Sequence, residues 1–375
     1  MKKMLKTALA VALFAILAGC RSNNDSIVLG CLSPLTGEAA TYGRSTRRGV
    51  ELALEEINSR KQLPKPLRVI FEDDKMSPKD GVSAFQKLVN VDRVPLVIGP
   101  FGSSIVLATA PIANQSKTVI ITASATADKI ADAGDFVFRI VPPNSKQGSD
   151  IAQFSFGKLG LKRAAILFQT NDYGLTLRDA FDKTFRELGG SIVSAEGYPL
   201  GATDYRAALT KMKSQKPDLI FYPLHQAEAA LMLRQAKELG FTCAFISADG
   251  AYTDDLIKTA GSAAEGSYFS TMALAYGVAD QEISRFQNQF KAKFNQEPDV
   301  YSAYYYEVTN LVASVIATNA TSGEQIRKGL AGIAGANAFH GITGVTAFDE
   351  KGEVDKPFYI YQVRNGAFHL VGSPK

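Results

Sequence analysis

The chain has 375 residues, 46% of them hydrophobic and 21% charged, with 31 glycines and 15 prolines. Those proportions exclude wholesale disorder and collagen-like or low-complexity chains, and the length suits two domains or lobes. Lysine plus arginine, 41, exceeds aspartate plus glutamate, 37, by only four. No basic block stands out, so no nucleic-acid partner is expected.

Lys2, Lys3 and Lys6 precede an apolar run from Ala8 to Ala18. A bilayer-spanning helix needs about 20 apolar residues, so the shorter run reads as the core of a signal peptide. It ends in Leu17-Ala18-Gly19-Cys20, which resembles a bacterial lipobox. Residues 1–19 are therefore expected to be a removed lipoprotein signal peptide, with Cys20 lipidated and 20–25 a polar tether to the membrane. Loss of the three lysines takes the net charge from +4 to +1. The expected location is the cell envelope, on the periplasmic or outer face of a bacterial membrane. Cys31 and Cys243 are expected to be free, buried thiols in different lobes, although export permits a disulfide.

Strands and helices then alternate. Residues 27–33 read as a buried strand, and 44–60 carry Val50, Ala53, Leu54 and Ile57 at amphipathic-helix spacing. Strand 67–73, helix 79–91, strand 95–99, helix 103–115, strand 118–122, a short helix 126–132 and strand 136–141 complete a first array. Asp73-Asp74 ends the second strand and reads as a solvated acidic loop. A second array follows: helix 147–159, strand 163–168, helix 174–188, strand 191–198, helix 204–215, strand 218–224, helix 226–239 and strands 243–248 and 267–271. Helices at 281–294, 303–319 and 323–332 come next, then strands at 345–349, 358–364 and 367–372, the last two around an Asn365-Gly366 turn. This pattern predicts an α/β fold of two doubly wound lobes joined by a hinge of several crossings. The expected division is 26–143 plus 275–349 for lobe 1 and 144–274 plus 350–375 for lobe 2.

Several stretches together resemble a family. PLTGEAATYGRSTRRGVELALEEIN, VIGPFGSSIVLATAPIA, ITASATADKI, FVFRIVPPNSKQG and GVTAFDEKGEVDKPFYIYQVRNGAF occur in the order and spacing of the type I periplasmic binding proteins of the leucine/isoleucine/valine-binding group. The resemblance covers essentially all of 26–375. It implies the capture subunit of an amino-acid ABC importer, with permease subunits as partners, a small amino acid as ligand, no cofactor and a monomeric state.

In open α/β sheets, ligands lie beyond the carboxyl ends of strands. Ser103 follows one strand and opens a helix, where a carboxylate would meet a hydroxyl and the positive end of a helix dipole. Ser124, Ala125 and Thr126 follow another strand; Asp249 ends a strand of the second array and suits an ammonium. From position alone each is equally a helix cap or turn residue. The resemblance assigns the carboxylate to Ser103 and the Ser124–Thr126 triplet, and the ammonium to Asp249, where the family usually has glutamate. It also places His225 where a tyrosine is usual, Asn144 where branched-chain binders tend to have aspartate, and Tyr42 and Tyr173 on the cleft wall. Tyr252, beside Asp249, is a further candidate.

No G-x-S-x-G, H-E-x-x-H or G-x-x-x-x-G-K-[ST] motif is present, and His225, His340 and His369 lack ligand-like spacing, so neither catalysis nor a metal is expected. The alternatives are a same-fold sensor, a binder of an amide or other small organic acid, and a lipid-anchored enzyme.

Overall fold

A computed structural model describes residues 26–272 and 281–372. Cys20 and the expected signal peptide and tether lie outside the described residues.

The first sheet forms from strands that are apolar on both faces, as parallel strands covered by helices must be. It contains β1 (Ile27–Ser33), β2 (Leu67–Asp73), β3 (Leu96–Ile98), β4 (Val119–Thr122) and β5 (Val137–Arg139), in the order β2-β1-β3-β4-β5. All its pairings are parallel. Helices α1 (Ala40–Arg60), α2 (Pro78–Asn90) and α3 (Ser103–Ser116) connect these strands. The α2 start shows how sequence sets a boundary: Ser77 accepts a hydrogen bond from Asp80 N–H, and Pro78 occupies the first turn.

The chain then crosses to a second sheet through Pro142 and Pro143. Here β6 (Arg163–Gln169), β7 (Ser191–Tyr198), β8 (Leu219–Phe221), β9 (Ala244–Ser247) and β10 (Tyr268–Met272) repeat the same winding, β7-β6-β8-β9-β10. Helix α4 (Asn144–Gln153) leads into β6, and between the strands run α5 (Asp172–Glu187), α6 (Arg206–Ser214), α7 (Gln226–Glu238) and α8 (Asp254–Ala260). Next, α9 (Gln281–Phe294), α10 (Val300–Ile316) and α11 (Gly323–Ala331) return to the first lobe, where α10 packs along α1. A small hairpin, β11 (Phe339–Gly341) and β12 (Gly344–Thr346), follows. The chain then crosses again, and β13 (Phe358–Arg364) and β14 (Ala367–Gly372) add antiparallel to the free edge of β10. Asn365 and Gly366 turn this hairpin with φ of 51° and 72°, the left-handed geometry that Asn-Gly supplies.

One apolar cluster runs through the first lobe and one face of the second sheet; another covers that sheet's opposite face. In the latter, Phe181 stacks on Phe221 at 4.5 Å between centroids. Burying a side chain of this size contributes about 1.5–3 kcal/mol.

The structure departs from the sequence expectations in instructive places. The helix expected at 303–319 runs instead over Val300–Ile316, because Asp299 accepts from Ser302 N–H and caps it earlier. Residues 128–132 form a single 3₁₀ turn, and the helix expected at 147–159 starts at Asn144 and ends in a π-turn over Phe154–Lys158. Cys31 and Cys243 are both free, but only Cys31 is buried; Cys243, just before β9, is half-buried. Asp74 does not lie on a solvated loop. It is fully buried, with Oδ1 accepting from Met76 N–H at 2.8 Å and Oδ2 without a partner among the described residues. Burial pushes its carboxyl up to about 7. Its neighbour Asp73 is the surface acid, accepting from Leu35 N–H and Lys75 N–H.

Candidate functional site

Both sheets turn the carboxyl ends of their strands toward the junction between the lobes, and the side chains just beyond those ends meet there. A cavity of about 10 Å³ is walled on the first-lobe side by Ser103, Ser124, Phe101, Gly102 and Tyr301, and on the second-lobe side by Tyr173, His225, Asp249 and Gly250. That volume is about one water, so an amino acid could enter only with the lobes further apart.

Ser103 is the first residue of α3. Its Oγ accepts from Thr126 N–H and Ala127 N–H, each at 3.1 Å. With both lone pairs used, the remaining function of the hydroxyl is to donate. Together with the α3 N-terminus, this makes the first-lobe wall suited to an anion. The Ser124 hydroxyl is engaged within the lobe, donating to Phe101 C=O at 3.0 Å and sharing a 2.9 Å bond with Tyr305. Ala125 and Thr126 stand behind the wall, where Ala125 N–H donates to Thr122 Oγ1 and the Thr126 hydroxyl is buried without a partner among the described residues.

On the other side, Asp249 is 7% exposed and accepts at Oδ1 from the Tyr173 hydroxyl at 3.0 Å. Burial raises its carboxyl to about 6, against the opposing pull of the Tyr173 bond. The Tyr173 hydroxyl in turn accepts from Gly250 N–H at 2.9 Å. A Cβ at position 250 would stand 2.6 Å from that oxygen, so this approach requires glycine. His225 caps the start of α7 with Nδ1 bonded to Gln169 Oε1, and burial pushes its imidazole down to about 4. It is therefore neutral at physiological pH. Burial holds the hydroxyls of Tyr42, Tyr173 and Tyr301 well above the ordinary tyrosine range, keeping them protonated.

The lobes are tied across the junction. Tyr42, on α1, donates to Gly250 C=O and accepts from Gln226 N–H at 2.7 Å. Tyr301, on α10, donates to Asp249 C=O at 2.8 Å, and Ser104 donates to Asp172 at 2.7 Å. Thus Tyr42 bridges the lobes beside the cavity. Asn144 is fully buried behind Tyr173, donating to Tyr173 C=O at 3.0 Å and Thr176 Oγ1 at 2.7 Å, and it does not reach the cavity wall. Tyr252 points elsewhere, stacking on Phe368 at 4.0 Å.

Sequence reasoning missed Phe101, Tyr301 and Gly250. Phe101 follows β3 directly and was open to the same strand-end argument that selected Ser103. Tyr301 carries no such signal, because it reaches the site only when α10 returns to the first lobe. Together the walls offer a buried acid on one side and a hydroxyl with a helix N-terminus on the other, a pairing that can grip a small dipolar molecule.

Comparison with known proteins identifies the family and the fold. A family profile described as periplasmic binding protein matches residues 26–367. A leucine-, isoleucine-, valine-, threonine- and alanine-binding protein of Pseudomonas aeruginosa is 30% identical over 362 residues, covering 96% of this chain and 94% of that protein. A leucine-binding protein from Thermotoga maritima superimposes with a TM-score of 0.86 at 28% identity, covering 92% of this chain and 98% of that one. A branched-chain amino acid transporter substrate-binding protein from Streptococcus pneumoniae, solved with isoleucine, gives 0.85 at 29% identity, covering 93% and 100%.

Proposed function

This chain belongs to the periplasmic binding protein family, and from that premise we propose that it captures a small amino acid between its two lobes as the extracytoplasmic substrate-binding component of an ABC importer. One observation carries the reading: Asp249 and the Ser103–α3 terminus face one cavity from opposite lobes. The α-ammonium is assigned to the Asp249 carboxylate, and the α-carboxylate to the Ser103 hydroxyl and the first turn of α3. Tyr173 orients Asp249. His225, Tyr42 and Ser124 border the ligand, and Ala125, Thr126 and Asn144 hold those groups in place from behind.

Lobe closure is the mechanism. Parting the lobes hydrates Asp249 and admits the ligand; closing them expels water and strengthens both charged contacts. The lobes proposed for this motion are 26–143 plus 275–349 and 144–274 plus 350–375, a division supported by the two separate sheets. The permease then reads the closed form. The protein acts as a monomer held to the membrane by lipid on Cys20, which a mass shift abolished by Cys20→Ser would report.

Isothermal titration of purified protein with the free amino acids tests the assignment. Tight binding of at least one, weakened tenfold or more by Asp249→Asn, is the expected result. Binding only to molecules without an α-ammonium, or chemical alteration of the ligand, would defeat it.

A further inference from the structure

A second space of about 240 Å³ opens between the lobes and shares His225 with the inner cavity. Its walls come from both lobes: Glu38, Lys75 and Met76 from the first, Leu200, Gly201 and Glu228 from the second. Gly201 locates the two acids. Its N–H donates to Glu228 Oε1 at 2.8 Å, and a Cβ built on it would lie 3.9 Å from Glu38 Oε2. One carboxylate from each lobe therefore converges on the same point. Glu228 is only 4% exposed, and burial followed by the nearby charge of Glu38 raises its carboxyl above the usual range.

The state of His225 follows from a chain of hydrogen bonds anchored on the backbone. Gly174 N–H donates to Asn171 Oδ1 at 2.9 Å, so the Asn171 amide presents Nδ2 to Gln169 Oε1 at 3.2 Å. Gln169 thus turns its oxygen to the ring, the ring proton sits on Nδ1, and Nε2 keeps its lone pair. His225 is 7% exposed, and Nε2 has no partner among the described residues. Of the donors nearby, the Tyr42 hydroxyl is committed to Gly250 C=O, while Lys75 reaches Asp80 at 3.4 Å with only one of its three N–H groups. Acceptors predominate in this space: Nε2, Glu228 and Glu38 against the one ammonium of Lys75.

We propose that the ligand is an amino acid whose side chain ends in a nitrogen donor, an ammonium, guanidinium or carboxamide, lodged among Glu38, Glu228 and His225. This rests on the amino-acid reading of the cleft. Met76 and Leu200 cover the methylenes, and the donor satisfies acceptors that a branched aliphatic chain would leave desolvated and unpaired. Closing the lobes draws Glu38 toward Glu228, so a cation between them favours closure while an apolar side chain leaves their repulsion in place.

The test is titration calorimetry on the full chain, purified in detergent, with lysine, arginine, glutamine, norleucine and leucine. At least one of the first three should bind ten times or more tighter than norleucine and leucine. Glu228→Gln and Glu38→Gln should each erode that preference for a cationic ligand by threefold or more; Gln at 228 keeps the acceptor for Gly201 N–H, and Glu38 is exposed, so both variants fold. Leucine or norleucine binding best, or a preference untouched in both variants, overturns the inference and leaves the amino-acid reading standing. Failure of every amino acid to bind defeats that reading and the inference with it.

Discussion

On the proposed assignment of the ammonium to Asp249, lowering the pH from 7 to 5 should weaken amino-acid binding about tenfold. Asp249 must be ionised to hold an ammonium, and burial raises its carboxyl to about 6. Roughly nine-tenths of the protein carries the charge at pH 7 and roughly one-tenth at pH 5, a loss of about 1.4 kcal/mol of binding. The other groups around the cavity stay silent: His225, pushed down to about 4, remains neutral, and the buried Tyr42, Tyr173 and Tyr301 remain protonated. The stability of the unliganded protein moves the opposite way. A carboxyl raised on folding from 3.8 to about 6 binds its proton more tightly when folded. Its contribution is complete below pH about 4 and fades as the pH climbs through about 6, on the order of 3 kcal/mol in all. Calorimetric titration and urea unfolding at pH 5 and 7 measure the two slopes. Asp249→Asn should flatten both, whereas a parallel Glu228→Gln series should keep the part set by Asp249. Equal affinity at pH 5 and 7, or an Asn variant with the full slope, would refute the reasoning.

Asp74→Asn should stabilise the protein at pH 8 by on the order of 4 kcal/mol, since the native carboxyl sits near 7 instead of 3.8, and the gain should fade as the pH falls toward 4 in urea unfolding. Lys356, 2% exposed, pairs at 3.0 Å with the fully buried Glu307. Lys356→Met should lower stability by about 3–5 kcal/mol in thermal unfolding, and adding Glu307→Leu should recover part of the loss. Ser103→Ala strands the N–H groups of Thr126 and Ala127 and should reduce stability by about 1–3 kcal/mol together with ligand affinity; a Ser103→Thr variant that binds no better than Ala would disconnect the hydroxyl from both effects.

Much of this architecture is readable from local pattern, because parallel strands buried on both faces are apolar throughout and the intervening helices keep a regular stripe. The Asn365-Gly366 hairpin needs only its own dihedral demands. What pattern misses is decided by tertiary contact. Phe339, His340 and Gly341 form a strand too short to show alternation. Asp73 and Asp74 are alike in sequence, but pleating sends one to the surface and the other inward. Ser103, His225 and Asp249 could be picked out because strand ends point at the junction. Asn144 is suggested by family resemblance alone, and its amide serves the Tyr173 carbonyl. No rule of sequence brings Tyr301, some fifty residues beyond Asp249, to that residue's carbonyl.

The repeated winding, β2-β1-β3-β4-β5 in one half and β7-β6-β8-β9-β10 in the other, divides labour in a particular way. Each half carries its own sheet but only part of the seat, so neither half alone offers the whole cavity wall. On the capture reading proposed above, occupancy would be recorded in the angle between the two halves, far from the buried chemistry that set it. A membrane partner of the kind proposed above could then judge the cargo by posture alone, without ever touching it.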